Sequence, residues 1–247
     1  MRRRTDLILI GSALVLVLAA CSKGGVEAGA TKATSTTSST STTVAPKPGP
    51  SRSSYSFAMN DKLIAPIGQD DGCVSGRMVD AVGVERLNAA KVTPEQFTMP
   101  VMFTLIHVTQ KDRDAFEQAA TTAFEACGTS RKLATDFMKT GYESMDVTPF
   151  VDCAVGHLTP RLASMVVDNW SGTVGGSFTD GAYSAISLST EECPDYQVAV
   201  TLVEAQKAGY TYSSSGVACL RQKFTEQAGK HRLMTSEEFS GIISGCD

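Results

Sequence analysis

Residues 109–128, TQKDRDAFEQAATTAFEACG, spell out one complete amphipathic helix with both of its ends. Thr109 followed three residues later by Asp112 is a helix-capping signal, because the hydroxyl can accept from the third backbone amide while the carboxylate reaches back. Behind it Phe116, Ala119, Ala120, Ala123, Phe124 and Cys127 fall on one face at helical spacing, and Gly128 stands where a helix commonly stops. The same grammar recurs at 235–246. There Thr235 and Glu238 form a capping box, and Phe239, Ile242, Ile243 and Cys246 make one stripe at i, i+3, i+4 and i+7. Next in the chain, 131–140 turns Leu133, Ala134, Phe137 and Met138 inward. Segment 196–208 reads as a helix, and Ser215, Val217, Leu220, Phe224 and Ala228 mark another. Thr-Pro occurs at Thr93-Pro94, Thr148-Pro149 and Thr159-Pro160; proline suits the first helical position after a threonine cap, so each pair predicts a helix start. Only 101–108 is ambiguous, a short apolar run that fits a strand or a buried helical segment equally well. The fold class expected is mainly α.

The cysteines organise these helices into a repeat. Cys73, Cys153 and Cys219 open helices, followed four residues later by Arg77, His157 and Lys223 and five later by Met78, Leu158 and Phe224. Cys127, Cys193 and Cys246 close helices, and seven residues before them stand Ala120, Ile186 and Phe239. The step from a closing to the next opening cysteine is 26 residues both times. An array of three disulfide-pinned helical units follows, spanning about 70–128, 148–194 and 214–247. The bond should join the opening and closing cysteine of each unit, Cys73–Cys127, Cys153–Cys193 and Cys219–Cys246; the constant step invites a competing set, Cys127–Cys153, Cys193–Cys219 and Cys73–Cys246. Loops of the in-unit size stabilise by about 3.5–4 kcal/mol each on the chain-entropy argument.

The N-terminal region is of a different kind. Arg2, Arg3 and Arg4 precede an apolar run of about 14 residues, shorter than the roughly 20 that a spanning helix needs, so 1–20 reads as a signal peptide. The run closes on Leu18-Ala19-Ala20-Cys21, which resembles the lipobox of bacterial lipoproteins. That resemblance implies cleavage before Cys21, a thioether lipid and palmitate-type acylation on its sulfur, and extracytoplasmic anchoring to the membrane through that lipid. More than one acyl chain suits stable anchoring, since a single chain holds only marginally. Residues 21–56 then form a tether expected to be disordered: eleven of the fourteen residues from Thr31 to Val44 are Ser or Thr, with Pro46, Pro48 and Pro50 beyond. Its typical reach is about 33 Å. The helical domain is placed at 57–247. With fifteen basic and twenty-four acidic side chains it is strongly acidic, which gives no electrostatic reason to bind nucleic acid.

Cys73 together with Gly83-Val84-Glu85-Arg86-Leu87-Asn88-Ala89-Ala90 and Thr93-Pro94-Glu95 resembles the first half of helical modules in uncharacterised exported actinobacterial proteins. The resemblance implies a helical fold and an envelope location, and carries no activity with it.

Little in the sequence points to chemistry. With no Cys-x-x-Cys and no His-Glu-x-x-His, neither a zinc site nor a redox dithiol has its spacing. Lys139-Thr140-Gly141 lacks a Ser-x-x-Lys partner, and Gly175-Gly176-Ser177-Phe178-Thr179 fails the nucleophile elbow and reads as a turn before a helix. Asp70-Asp71-Gly72 reads as a cap for the Cys73 helix. His157 belongs to a polar helix face, His231 to solvent, and His107 to the apolar run as a hydrogen-bonded structural residue. No catalytic, metal or cofactor residue is expected, and the stretch from Met165 to Trp170 reads as core. The functional expectation is a non-enzymatic interaction module contacting another envelope protein or polymer. A carrier or sensor of a small apolar ligand, with Met99, Met102, Met145 and Trp170 lining the cleft, is the alternative, and a cell-wall hydrolase a distant third.

Overall fold

Helix α1 (Arg52–Met59) starts at Ser51, whose hydroxyl accepts from the Ser54 amide. The computed structural model describes residues 49–68, 72–173 and 176–246; the leader, Cys21, most of the tether, the Asp70-Asp71 cap and Gly175 lie outside the described residues. Helix α1 moves the domain boundary given above, because 52–56 belong to the folded body rather than to the tether. Tyr55 and Met59, one turn apart, are fully buried, and the Tyr55 hydroxyl donates to the Val92 carbonyl at 2.7 Å. Arg52 meets Asp80 with two hydrogen bonds, at 2.6 and 2.7 Å. The Ser- and Pro-rich average of 22–56 hides this one amphipathic turn.

The chain continues as α2 (Cys73–Val82), α3 (Val84–Ala89), α4 (Pro94–Phe97), α5 (Met102–Leu105), α6 (Gln110–Ala126) and α7 (Thr129–Lys139). Then come α8 (Thr148–Ser171), α9 (Phe178–Glu191), α10 (Pro194–Lys207), α11 (Ser214–Ala228) and α12 (Ser236–Ser244); among the described residues there is no strand. The fold is therefore mainly α, and the ambiguous 101–108 contains a short helix. Capping boxes stand at Thr109–Asp112, Thr93–Gln96 and Thr235–Glu238.

Thr159-Pro160 is a correction. Thr93-Pro94 and Thr148-Pro149 begin helices, but Pro160 lies inside the 24-residue α8. Leu158, Leu162, Ala163 and Val166 are fully buried on either side of it, so tertiary packing carries the helix through a residue that lacks the donor for a bond to Gly156. His107 is a second correction. It takes φ of +51° just past Ile106, the residue that caps α5, while the Val108 amide reaches back to the Phe103 carbonyl at 3.0 Å. This is the left-handed C-terminal stop usually filled by glycine, and it turns the imidazole outward, exposed, instead of into the core.

The units close as disulfides Cys73–Cys127, Cys153–Cys193 and Cys219–Cys246, with Cα separations of 5.9, 5.9 and 5.5 Å, all in the range a relaxed bridge adopts. Only Cys73 opens its helix; Cys153 and Cys219 sit in the second turns of α8 and α11. Helices α2 and α6 of the first unit pack with α8 and α9 of the second around one core. Trp170 lies at its centre, fully buried, with the Phe97, Phe103 and Phe116 rings at centroid distances of 5.1, 6.0 and 6.3 Å. The third unit has its own small core of Val198, Tyr212, Leu220, Phe224 and Cys246. Helix α10 bridges the two: it contributes Tyr196 to the first and Val198 to the second.

Candidate functional site

At this bridge the chain opens a cleft of about 340 Å³, lined by Tyr142, Val200, Thr201, Glu204, Ala205, Tyr210, Tyr212, Phe239 and Ile243. Each wall follows from a local rule. Helix α10 ends at Lys207; Gly209 takes φ of +77°, the Gly209 amide bonds the Gln206 carbonyl and the Tyr210 amide bonds the Ala205 carbonyl at 2.9 Å. That pair of bonds is a Schellman motif, which folds the residue after the glycine back onto the last helical turn. It sets Tyr210 beside Ala205. Tyr142 follows Gly141 (φ +79°) in the turn that leaves α7. The capping box at Thr235 fixes the start of α12, whose Phe239 and Ile243 are one turn apart and share a face.

The cleft is apolar in its depth and polar at its rim. The Tyr210 and Tyr212 rings meet edge to face, centroids 4.9 Å apart at 86°. Glu204 pairs with Lys207 at 2.8 Å, and the Lys207 ammonium lies 5.0 Å from the centroid of the Tyr142 ring. Burial first, and then the neighbouring Glu204 carboxylate, hold the Tyr142 phenol above its ordinary value, so it remains a neutral hydroxyl at physiological pH.

No protein-family model, curated protein or solved structure matches this chain.

A second convergence of polar groups lies at the end of α9. The Glu192 side chain is 2 % exposed. Arg161 of α8 donates from Nη2 to Glu192 Oε1 at 2.7 Å, and from Nη1 to the His157 carbonyl and Ser189 Oγ. His231 Nδ1 is 2.8 Å from Oε1, and His157 Nδ1 3.2 Å from Oε2. Burial pushes this carboxyl up, but the Arg161 and His231 hydrogen bonds and the Arg161 charge outweigh it and leave it below the usual range. The preceding Glu191 accepts from the Met234 amide at 2.6 Å. Two consecutive carboxylates therefore clamp the α11–α12 loop onto the second unit, a structural latch. His231, assigned to solvent on sequence, is largely exposed yet anchors this latch. Cys153, His157 and Cys193 also place ligand-type atoms within 4.8 Å of one another, but the two sulfurs are bonded to each other and neither is a thiolate.

The methionine-lined cleft expected from sequence is not what the fold forms. Met102 and Trp170 are fully buried in the main core, Met145 packs partly buried against it, Met99 is exposed, and none of the four borders the tyrosine cleft. The cleft residues come from four separated segments, and no periodicity links Tyr142 to Phe239. The local cue within reach was Ala205 followed by Gly209-Tyr210, a Schellman signature at the end of a helix.

Proposed function

We propose that this chain is an exported binding module of the cell envelope, anchored by lipid at Cys21, whose helical body captures a small, mainly apolar ligand in the tyrosine cleft. The observation that carries the reading is the cleft itself. Its volume stands near the lower end of the roughly 300–1,000 Å³ typical of small-molecule sites, and apolar walls with a few polar rim groups are their usual chemistry. A ligand of one or two rings, or a short aliphatic chain, fits that volume.

Three disulfides support folding in an oxidising compartment outside the cytoplasm. No helix among the described residues is long and apolar enough to cross a membrane, so attachment in this reading rests on the lipid. The interaction with a further envelope component becomes the delivery or signalling step that follows capture.

The test uses N-phenyl-1-naphthylamine, an uncharged probe whose fluorescence rises in an apolar site. The full chain should bind it saturably, and Ala205→Trp, which fills the cleft from a half-buried wall, should weaken binding about tenfold or more. Binding unaffected by Ala205→Trp would place the probe elsewhere and remove the reading. In cells, Cys21→Ala should release the protein from the membrane fraction.

A further inference from the structure

The rings of the cleft say more about its ligand than its volume does. Tyr142, Tyr210, Tyr212 and Phe239 give it four aromatic walls, with Glu204 among them. Aromatic faces carry the negative end of a quadrupole and attract cations, most of all weakly hydrated ones held among several rings. One of these faces already serves a cation: Lys207 stands 5.0 Å from the Tyr142 centroid while its charge is answered by Glu204 at 2.8 Å. Tyr210 and Tyr212, at 86° to each other, form a right-angled corner on another side. An anionic ligand would meet a carboxylate and the negative faces of rings. A cation meets complementary charge at both, in a domain that is acidic as a whole.

We infer that the cleft selects an organic cation: a ligand with a trimethylammonium head held by Tyr142, Tyr210, Tyr212 and Glu204, and a compact apolar body against Phe239 and Ile243. This rests on the cleft being the binding site and adds the charge of what it binds. Lys207 is then an internal occupant. Its ammonium covers the Tyr142 ring and engages Glu204 until a ligand head displaces it.

Choline and its uncharged carbon isostere, 3,3-dimethyl-1-butanol, separate charge from shape. Titrated calorimetrically into the full chain in a maltoside detergent, choline should bind about tenfold more tightly than the isostere. Lys207→Ala should tighten choline binding several-fold by freeing the Tyr142 face and Glu204, and Glu204→Gln should weaken it several-fold. Both changes should alter binding of the isostere far less than that of choline, and both residues are exposed, so the fold is retained and checked by circular dichroism. Equal affinity for choline and the isostere, or Lys207→Ala weakening choline, overturns the inference. If N-phenyl-1-naphthylamine still binds in that case, the apolar cleft reading stands alone. If no probe binds, both fall together.

Discussion

Arg161, midway along α8, and Glu192, at the C-terminal end of α9, face each other with Arg161 Nη2 2.7 Å from Glu192 Oε1 and the carboxylate almost wholly withdrawn from solvent. The pair ties the long central helix to the segment that carries Cys193, and through His231 it reaches the third unit as well.

Glu192→Gln should therefore be costly. It keeps the shape but leaves the Arg161 guanidinium, three-quarters buried, without a counter-charge. Breaking one side of a buried pair costs about 3–5 kcal/mol, and the partial exposure of Arg161 places the expected loss near the lower figure. The urea midpoint measures it. The acid limb should change too. Because the folded-state pKa of Glu192 is depressed, its contribution is complete above the unfolded value of about 4.3 and is lost as pH falls through the lower folded value. The wild type should lose stability below about pH 4 more steeply than the glutamine variant.

Tyr196 predicts the opposite limb. It is 6 % exposed, and its hydroxyl donates to the Met138 carbonyl at 3.1 Å, fastening α10 to the end of α7. Burial, and after it the neighbouring Tyr142, push its phenol up to about 12. The neutral form is thus favoured in the fold, giving stability that is present below an unfolded value of about 10 and lost as pH rises through 12. Two pH units correspond to about 2.7 kcal/mol. Tyr196→Phe should cost about 1 kcal/mol at neutral pH through the lost hydrogen bond, yet flatten the stability decline between pH 10 and 12, as read by denaturant titration at each pH.

Pro160→Ala should stabilise the protein. Pro160 is exposed in the middle of α8 and withholds an amide from Gly156, so alanine restores a helical hydrogen bond at no steric cost. A proline inside a helix costs about 3 kcal/mol relative to alanine, offset by its lower unfolded-state entropy, for a net gain of about 2 kcal/mol. Thermal unfolding of the variant checks both sign and size. A loss of stability instead would mean that the helix is shaped around its proline.

The same residue shows how far the sequence could be followed. Thr93-Pro94 and Thr159-Pro160 are locally the same signal, and only the burial of Leu158 and Leu162 by elements far along the chain distinguishes a helix start from a helix interior. Signals that are local in mechanism were legible: the Thr109 and Thr235 caps, the stripe from Phe116 to Cys127, the apolar run before Trp170. Signals needing two distant segments were not. The Tyr142–Lys207 contact and the clasp of Glu192 on His231 join residues 65 and 39 positions apart, and neither end carries a periodic pattern pointing to the other. Cysteine spacing stood between these cases, since covalent pairing leaves a sequence trace that ordinary packing does not.

Helix α12 makes the last prediction, because it has no fully buried residue within its own span. Phe239, Ile242 and Ile243 are half-buried against α11, so the hydrophobic hold on this helix is slight. The covalent link from Cys219 to Cys246 supplies the rest by closing a 27-residue separation, worth about 3.5 kcal/mol by chain entropy. Replacing both cysteines with serine should release α12 locally. Amide exchange over 236–244 should rise by orders of magnitude, while that of 110–126, in the main core, should hardly change. Since Phe239 and Ile243 form one wall of the cleft, N-phenyl-1-naphthylamine binding should fall with it. Exchange rising equally in both regions would show instead that the third unit and the main core unfold as one, and that the bond stabilises the domain globally.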